Sequence, residues 1–434
     1  MTVLPLIMEV SDPKRKSPYK VMMIPEPPRQ SKAPLYRTFV LNACVIACIL
    51  AILLVLGCEK DLASLQSDTR SNGIQSDEIL IGASLGLTGH AGYLGTQTLH
   101  GAMAYIHHIN ENGGIHGRQI RVISYDDGYD PPRCVLNTQR LIIEDKVFAL
   151  FCYVGTPTAV KIVPLVEEAR IPLVGIFSGA NVLRDPVSRY LINVRASYYQ
   201  ETGAAVRHLV EKRNLRKIAV FYQYDAYGFD GLRGTELALK HYDLVPVATG
   251  TYLRGTLGVE EGLNKIMAAG AEAVVMIGTY EPCARFIQLS LSKGFKPVFA
   301  NTSFVGADEL SRLLGPDADG VIVTQVVPPP EPRRKALQLW GASDYVERLK
   351  QYFPDDAPNF VSLEGYINAK VLVEGLRRAG RYLDRERFIE AIDSIHDLDL
   401  GIANPLSFSP DRHQGLERVY FTYFKDGRFV WLTD

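Results

Sequence analysis

The chain has 434 residues, 47% of them hydrophobic, with 47 Lys/Arg against 48 Asp/Glu and a formal net charge of −1. That balance leaves no electrostatic footprint for nucleic acid. Six cysteines in a chain of this length exclude a disulfide-dense scaffold.

Seven basic residues, Lys14, Arg15, Lys16, Lys20, Arg29, Lys32 and Arg37, precede a nearly unbroken apolar run over residues 39–57. A positive region followed by an apolar region is the layout of an export signal. The run closes with Leu54-Val55-Leu56-Gly57-Cys58, which resembles a bacterial lipobox, with small Gly57 suited to cleavage and Cys58 as the lipidated N-terminus. An uncleaved anchor is the alternative, because the run is just long enough to span a bilayer. Residues 1–58 are thus signal or anchor and 59–77 a polar linker. Removing 1–58 takes away seven Lys/Arg and three Asp/Glu, which leaves 40 basic and 45 acidic residues and a net charge of −5. The remaining body of about 350 residues is too long for one ordinary core and predicts two lobes.

Residues 79–85 read as an apolar strand that runs into the turn Gly86-Leu87-Thr88-Gly89. A helix follows over about 95–112, with Leu99, Met103, Ile106 and Ile109 on one face and Gly113-Gly114 as its stop. A second strand over 120–125 leads to Asp126-Asp127-Gly128-Tyr129-Asp130-Pro131. This βαβ start predicts a parallel sheet whose loops converge at the strand C-termini. The alternation continues with strands at 147–152, 172–176 and 193–195, and with a helix from Gly155-Thr156-Pro157-Thr158 to Ala169. A second series places strands at 217–222, 245–251, 273–277, 298–300 and 321–326. Its helices begin near Gly228, Gly258, Pro282 and Asp308. A break at Pro328-Pro329-Pro330 precedes a helix over 363–379, and the chain ends in β-like segments at 418–424 and 428–432. The fold class expected is α/β, with two Rossmann-like lobes joined by several hinge crossovers.

The motifs argue for binding, not catalysis. Gly82-Ala83-Ser84-Leu85-Gly86 matches the nucleophile-elbow pattern, but the helix starts about ten residues later, where an elbow needs a tight strand-to-helix turn. A serine hydrolase using Ser84 is therefore the weakest reading. His100, His107 and His108 share a helix region without a third ligand fixed by spacing, so no metal is expected. No phosphate loop occurs, and no cofactor is expected. Asp126-Asp127 read as caps for the following helix. Gly155-Thr156-Pro157-Thr158 and Ser178-Gly179-Ala180-Asn181 each follow a strand and precede a helix, where N–H groups and hydroxyls suit a carboxylate or another polar acceptor. Opposite them, Tyr227, Tyr280, Ser303 and Phe304 offer aromatic walls with a few polar groups, the composition of a small-molecule pocket. Cys134 and Cys152 are the plausible disulfide pair, with three buried free thiols (those two and Cys283) as the alternative.

These residues resemble periplasmic solute-binding proteins of the branched-chain amino-acid (Leu/Ile/Val-type) ABC transporter family. The resemblance is carried by 81–89, Gly113-Gly114-Ile115-His116-Gly117-Arg118, 125–131, Tyr224-Asp225-Ala226-Tyr227-Gly228 and 406–411. It implies a type I periplasmic-binding fold, with one lobe from 78–197 plus about 327–415 and the other from 198–326 plus about 416–434. It also implies a monomeric, non-enzymatic receptor in the periplasm, lipid-anchored, that closes on a small ligand and presents it to an ABC permease. A sensory module signalling to a membrane partner is the competing use. Crossings are expected at Arg195-Ala196-Ser197 and Val327-Pro328, with Tyr198 and Tyr199 at the cleft floor. The binding set implied is Tyr93, Gly155, Thr156, Thr158, Phe177, Ser178, Gly179, Tyr198, Tyr227, Tyr280, Glu281, Ser303 and Phe304. Such proteins hold an amino-acid carboxylate with a Ser/Thr pair and its ammonium with an acidic residue. Here Ser303 stands where that acid is expected, with Glu281 as a possible substitute if it turns inward. An ammonium without a counter-charge in a dry cleft is costly, which favours an amide, a carboxylate or another small neutral or anionic ligand over a standard amino acid.

Overall fold

The computed structural model describes residues 72–330 and 339–431. The export-signal run, Cys58 and most of the linker lie outside the described residues. The first sheet is parallel, in the order β2-β1-β3-β4-β5, built from β1 (Glu78–Leu85), β2 (Gln119–Asp126), β3 (Ala149–Phe151), β4 (Leu173–Val174) and β5 (Leu191–Ile192). Helices α1 (Gly92–Glu111), α2 (Pro131–Ile143) and α3 (Thr156–Glu168) connect its strands. From Ile79 to Leu85 both faces of β1 are buried, which is why its sequence is apolar apart from Ser84 and does not alternate.

Residues 193–197 cross to the second lobe. Its sheet repeats the same order, β7-β6-β8-β9-β10, with β6 (Ile218–Gln223), β7 (Thr249–Tyr252), β8 (Ala273–Ile277), β9 (Val298–Asn301) and β10 (Ile322–Gln325). Its helices are α4 (Tyr198–Arg207), α5 (Ala226–Lys240), α6 (Glu260–Ala268), α7 (Tyr280–Ser292) and α8 (Ala307–Leu314). The chain then returns to the first lobe as α9 (Trp340–Tyr352), α10 (Phe360–Ala379) and α11 (Arg385–Asp393), with α10 lying along α1. It crosses back through 413–419 into β11 (Tyr420–Lys425), antiparallel to β10, and β12 (Arg428–Trp431). The outgoing and returning crossings are hydrogen-bonded side by side. Asn193 N donates to His413 O, Gly415 N to Asn193 O and Leu416 N to Val194 O, each at 2.9 Å. Residues 193–195, expected as a sheet strand, therefore pair with the returning crossing instead. Val245 and Val247, expected in a strand, lie exposed ahead of β7. Apolar content alone marked them, and no sheet face covers them.

Helices α1 and α10 touch backbone to backbone. A Cβ on Gly101 would stand 1.8 Å from Ser362 O, and one on Gly365 would stand 2.1 Å from Thr98 O. Gly365→Ala is therefore expected to cost about 1–3 kcal/mol through forced separation of the two helices. Gly203→Ala on α4 meets nothing within 4 Å and should add up to about 1 kcal/mol. Thermal unfolding of the two variants would move in opposite directions, and equal shifts would refute the contact as the cause.

Cys134, Cys152 and Cys283 are free and buried, which corrects the expected Cys134–Cys152 pair. The two sulfurs face different neighbours. Cys152 Sγ accepts from Asn368 Nδ2 of α10 at 3.7 Å, whereas the Cys134 thiol on α2 faces Ser84, Asp127 and Thr138. Among the described residues no helix is long and apolar enough to cross a membrane.

Candidate functional site

The two sheets direct their strand C-termini toward one another, so the loops that follow β1, β3 and β4 meet those that follow β6, β8 and β9. In the first lobe, Gly155 at φ +99° turns the chain from β3 into α3. Its N–H donates to Phe177 O at 3.0 Å, which ties this loop to the one after β4. The Thr156 and Ser178 hydroxyls lie 2.8 Å apart, and Ala180 N donates to Ser178 Oγ. Arg184 braces this loop from behind with bonds to Ser178 O and Ala180 O. Thr158 is turned away, its hydroxyl held on Val154 O and Gly155 O.

From the second lobe, Phe304 enters the middle of the cleft. Its ring centroid lies 4.7 Å from Tyr227, 5.7 Å from Phe177, 6.0 Å from Tyr129 and 6.4 Å from Tyr198. Tyr227 hydrogen-bonds Thr302 Oγ1 at 2.8 Å. At one edge of the cleft Tyr93 and Tyr280 meet edge to face at 6.0 Å, and Tyr93 N donates to the Tyr280 hydroxyl at 3.4 Å. At another, Arg254 donates to Tyr129 O at 2.7 Å, while Gln223 donates to the Tyr129 hydroxyl at 3.3 Å. Two carboxylates also span the lobes. Asp230 accepts from Asn181 N at 2.9 Å, and Asp308 accepts from Phe360 N at 3.2 Å.

Beneath the rings lies a buried ionic group. Arg195, on the outgoing crossing, places Nη2 3.0 Å from Glu201 Oε1 of α4 and Nη1 3.4 Å from Glu364 Oε1 of α10. Its Nη2 also donates to Ser303 Oγ. Glu201 accepts from Ser303 N, Ser303 Oγ and Thr324 Oγ1 as well. Burial pulls the Arg195 guanidinium down, but Glu364 and Glu201 more than offset this and keep it charged. Burial, against the opposing pull of Arg195, pushes the Glu364 carboxyl up to about 7.

Residues 78–428 match the periplasmic binding protein family. The chain belongs to that family. It is a family of solute-binding proteins and not of enzymes. A possible leucine/isoleucine/valine-binding protein from Rhodopirellula baltica SH 1 is 33% identical and superposes at a TM-score of 0.78, over 84% of this chain and 98% of that one. A substrate-binding periplasmic protein from Ralstonia solanacearum is 28% identical at a TM-score of 0.76, over 82% and 100%. Among curated proteins, Leu/Ile/Val-binding protein homolog 7 of Brucella abortus (strain 2308) is 25% identical over 374 residues, 82% of this chain and 91% of its own. The two-lobed type I fold is that of these periplasmic binding proteins.

Of the expected site residues in this periplasmic binding protein, Gly155, Thr156, Phe177, Ser178, Gly179, Tyr198, Tyr227, Ser303 and Phe304 come together, with Tyr93 and Tyr280 at an edge. Glu281 does not join them. It is exposed in the first turn of α7, where a carboxylate complements the helix N-terminus, so it offers no inward counter-charge. Ser303 also differs from expectation, because both hydrogen-bonding roles of its hydroxyl are taken by Arg195 and Glu201. Asp126 and Asp127 are not helix caps. Asp126 accepts from Leu87 N, Thr88 and Gly128 N, and Asp127 from Ser84 Oγ and Tyr129 N, which locks the β1 loop to the β2 loop. Ser84 is buried against Asp127 and Asn137, neither of them a histidine base. His100 pairs with Asp356 at 2.6 Å and stacks on Phe353, while His107 stays exposed, so this stretch of α1 is only partly covered. Among the described residues no group of three His, Cys, Asp or Glu could hold a metal.

Tyr129, Gln223, Arg254, Arg195, Glu201 and Glu364 are the cleft residues that the motifs did not announce. Tyr129 is the most legible of them after the fact, since Gly155 must be glycine to pass it. A Cβ there would sit 2.0 Å from the Tyr129 ring. Gly155→Ala combines that clash with a left-handed φ and should cost about 2–4 kcal/mol. Gly117→Ala carries the strain without a neighbour within 4 Å and should cost only about 1 kcal/mol. The difference in their unfolding midpoints measures the Tyr129 contact, and no difference would remove it.

Proposed function

We propose that this chain is an extracytoplasmic receptor, lipid-anchored through Cys58 in the cell envelope, that captures a small organic ligand by closing its lobes. It then delivers the ligand to an ABC permease. The observation that carries this reading is the pairing across the cleft of Thr156, Ser178 and Gly179 with the aromatic wall of Tyr227, Tyr280 and Phe304. A ligand that touches the hydrogen-bond partners of one lobe and the apolar rings of the other favours the closed form. Ser303, already bonded to Arg195 and Glu201, supplies no counter-charge for an α-ammonium, exposed Glu281 does not either, and the buried carboxylates Glu201 and Glu364 are already paired with Arg195. The ligand is therefore an amide, a carboxylate or another small neutral or anionic molecule.

A thermal-shift panel of branched-chain and aromatic amino acids, amides, urea and small carboxylates tests this. A ligand at about a hundred times its Kd adds about 2.7 kcal/mol. Small-angle scattering on each hit reports closure. A hit outside the amino acids is expected. A leucine-like hit would keep the receptor and overturn the ammonium argument, and a panel without any closure would overturn the receptor reading.

A further inference from the structure

The first sheet ends in a strand whose outer edge is only partly closed. β2 pairs with β1 alone. Gln119 N donates to Asp77 O and Asp127 N to Leu85 O. The odd-numbered residues of β2 therefore turn their backbone groups toward β1, and the even-numbered ones turn theirs outward. Two plugs close the ends of that outer edge. At Ile120 the side chain of Asn110 on α1 accepts from the N–H and donates to the C=O, both at 2.9 Å. At Asp126 the C=O accepts from Arg133 and Asn137 of α2 at 3.1 and 3.2 Å. Between the plugs, the N–H and C=O of Val122 and of Ser124 have no hydrogen-bond partner among the described residues.

Exposed edge strands are normally kept short, or blunted by proline, lysine, a bulge or a covering element. The other outermost strands are short, with two residues in β5 and four each in β7 and β12, whereas β2 has eight. The one charge in its middle, Arg121, is turned back onto Glu78 of β1 at 3.0 Å. Ser124 is exposed, and Val122, Ile123 and Tyr125 are half-buried. On neighbouring α2, Leu136 and Ile143 are 65% and 67% exposed. Arg140 between them lies 4.6 Å over the Tyr125 ring, so apolar surface continues from the strand onto the helix.

We propose that β2 is a dimerisation edge, pairing antiparallel with β2 of a second copy of this chain about a two-fold axis at Ile123. The open stretch is complementary to itself. In this register Val122 of each copy stands opposite Ser124 of the other. The two donors and two acceptors of each copy then meet those of the other in four hydrogen bonds. Ile123 meets its own copy at the axis, at a site where cross-strand side chains come closest. Arg121 stands opposite Tyr125, whose hydroxyl donates to Asp145 at 3.0 Å. A cation thus faces an anion-bearing side twice, and no like charges stand opposite one another within the strands. A register shifted by two residues would bring Val122 or Ser124 against a plug and keep one bonded pair instead of two. The two five-stranded sheets become one continuous sheet in an isologous dimer, in place of the monomer that the resemblance implies. None of residues 120–125 lines the cleft, so this assignment stands apart from the receptor reading.

Sedimentation equilibrium of the full chain in a density-matched detergent gives its mass, expected as twice that of one copy. Ser124→Pro removes an outward N–H from each copy and none of the bonds to β1. It should weaken self-association at least about tenfold. Cross-linking reads the register without a proline. Opposed residues at a site without paired bonds lie about 4.5 Å apart at Cα, within reach of a disulfide. Ile123→Cys should therefore form a disulfide-linked dimer on mild oxidation. Val245→Cys, 75% exposed on the second lobe, should not, and Cys134, Cys152 and Cys283 are buried. A single-copy mass, or no Ile123→Cys dimer above the Val245→Cys level, overturns the proposal. A dimer that a folded Ser124→Pro leaves equally tight overturns it too. An Ile123→Cys adduct with a different protein would give the edge to another partner and overturn the second copy.

Discussion

Arg195→Met is expected to lower stability by about 3–5 kcal/mol, because it leaves two buried carboxylates without their cation. Glu201 would keep its bonds from Ser303 and Thr324, but Glu364 would keep only the charges of more distant groups. Methionine fills most of the arginine volume, so a cavity contributes little and the loss reports electrostatics. The three residues come from the outgoing crossing, the second lobe and the first lobe, so their loss reaches both halves of the molecule. The cycle of Arg195→Met with Glu364→Gln decides the point. The double variant should recover part of the loss, since neutralising Glu364 removes one orphaned charge. Denaturant unfolding of the four proteins measures it, and strict additivity would mean that Arg195 and Glu364 do not interact.

Why this group was not legible in the sequence follows from its geometry. Arg195 and Glu201 sit on different elements, and Glu364 comes from a helix near the other end of the chain, so no spacing rule joins them. Loops after strands were legible, because the strand–turn–helix rhythm places Gly155-Thr156 and Ser178-Gly179 at strand ends whatever their later partners. Phe304 and Tyr227 were legible for the same reason. Tyr129 was quoted only as part of a turn motif, because its left-handed φ of 60° turns the ring into the cleft, which composition does not reveal. Cys134 and Cys152 lay near each other along the chain, yet helix α10 arrives from beyond residue 359 to face Cys152. Glu281 was close in sequence to Tyr280, but adjacent helical residues point in different directions. Local order was readable, and what the long-range returns of the chain bring together was not.

Those same returns make the closed molecule sensitive to protons, and stability is expected to fall by about 2–5 kcal/mol as pH rises from about 5 to about 8. Three carboxyls at the junction of the lobes are raised, each by burial first. Asp230 and Asp308 are pushed up to about 6 and Glu364 to about 7. Backbone N–H bonds from Asn181 and Phe360 oppose the shift of the first two without cancelling it. A carboxyl whose folded value is raised holds its proton in the native state after the unfolded chain has released it. Its contribution is therefore full below the ordinary carboxylate range and lost as pH climbs through 6 to 7. Asp126, by contrast, is lowered by bonds from Thr88, Gly128 and Leu87 that outweigh its burial. What it contributes is lost only in stronger acid, outside this window. Asp230 and Asp308 accept their bonds across the lobes, so opening would hydrate both and release protons, and closure in the proposed receptor should become easier as pH falls toward about 6. Unfolding curves at several pH values would show the slope, and Glu364→Gln should flatten its upper part near neutrality while leaving the part near Asp230 and Asp308. A slope of the opposite sign, or one that Glu364→Gln does not alter, would mean that these carboxyls stay ionised between the lobes.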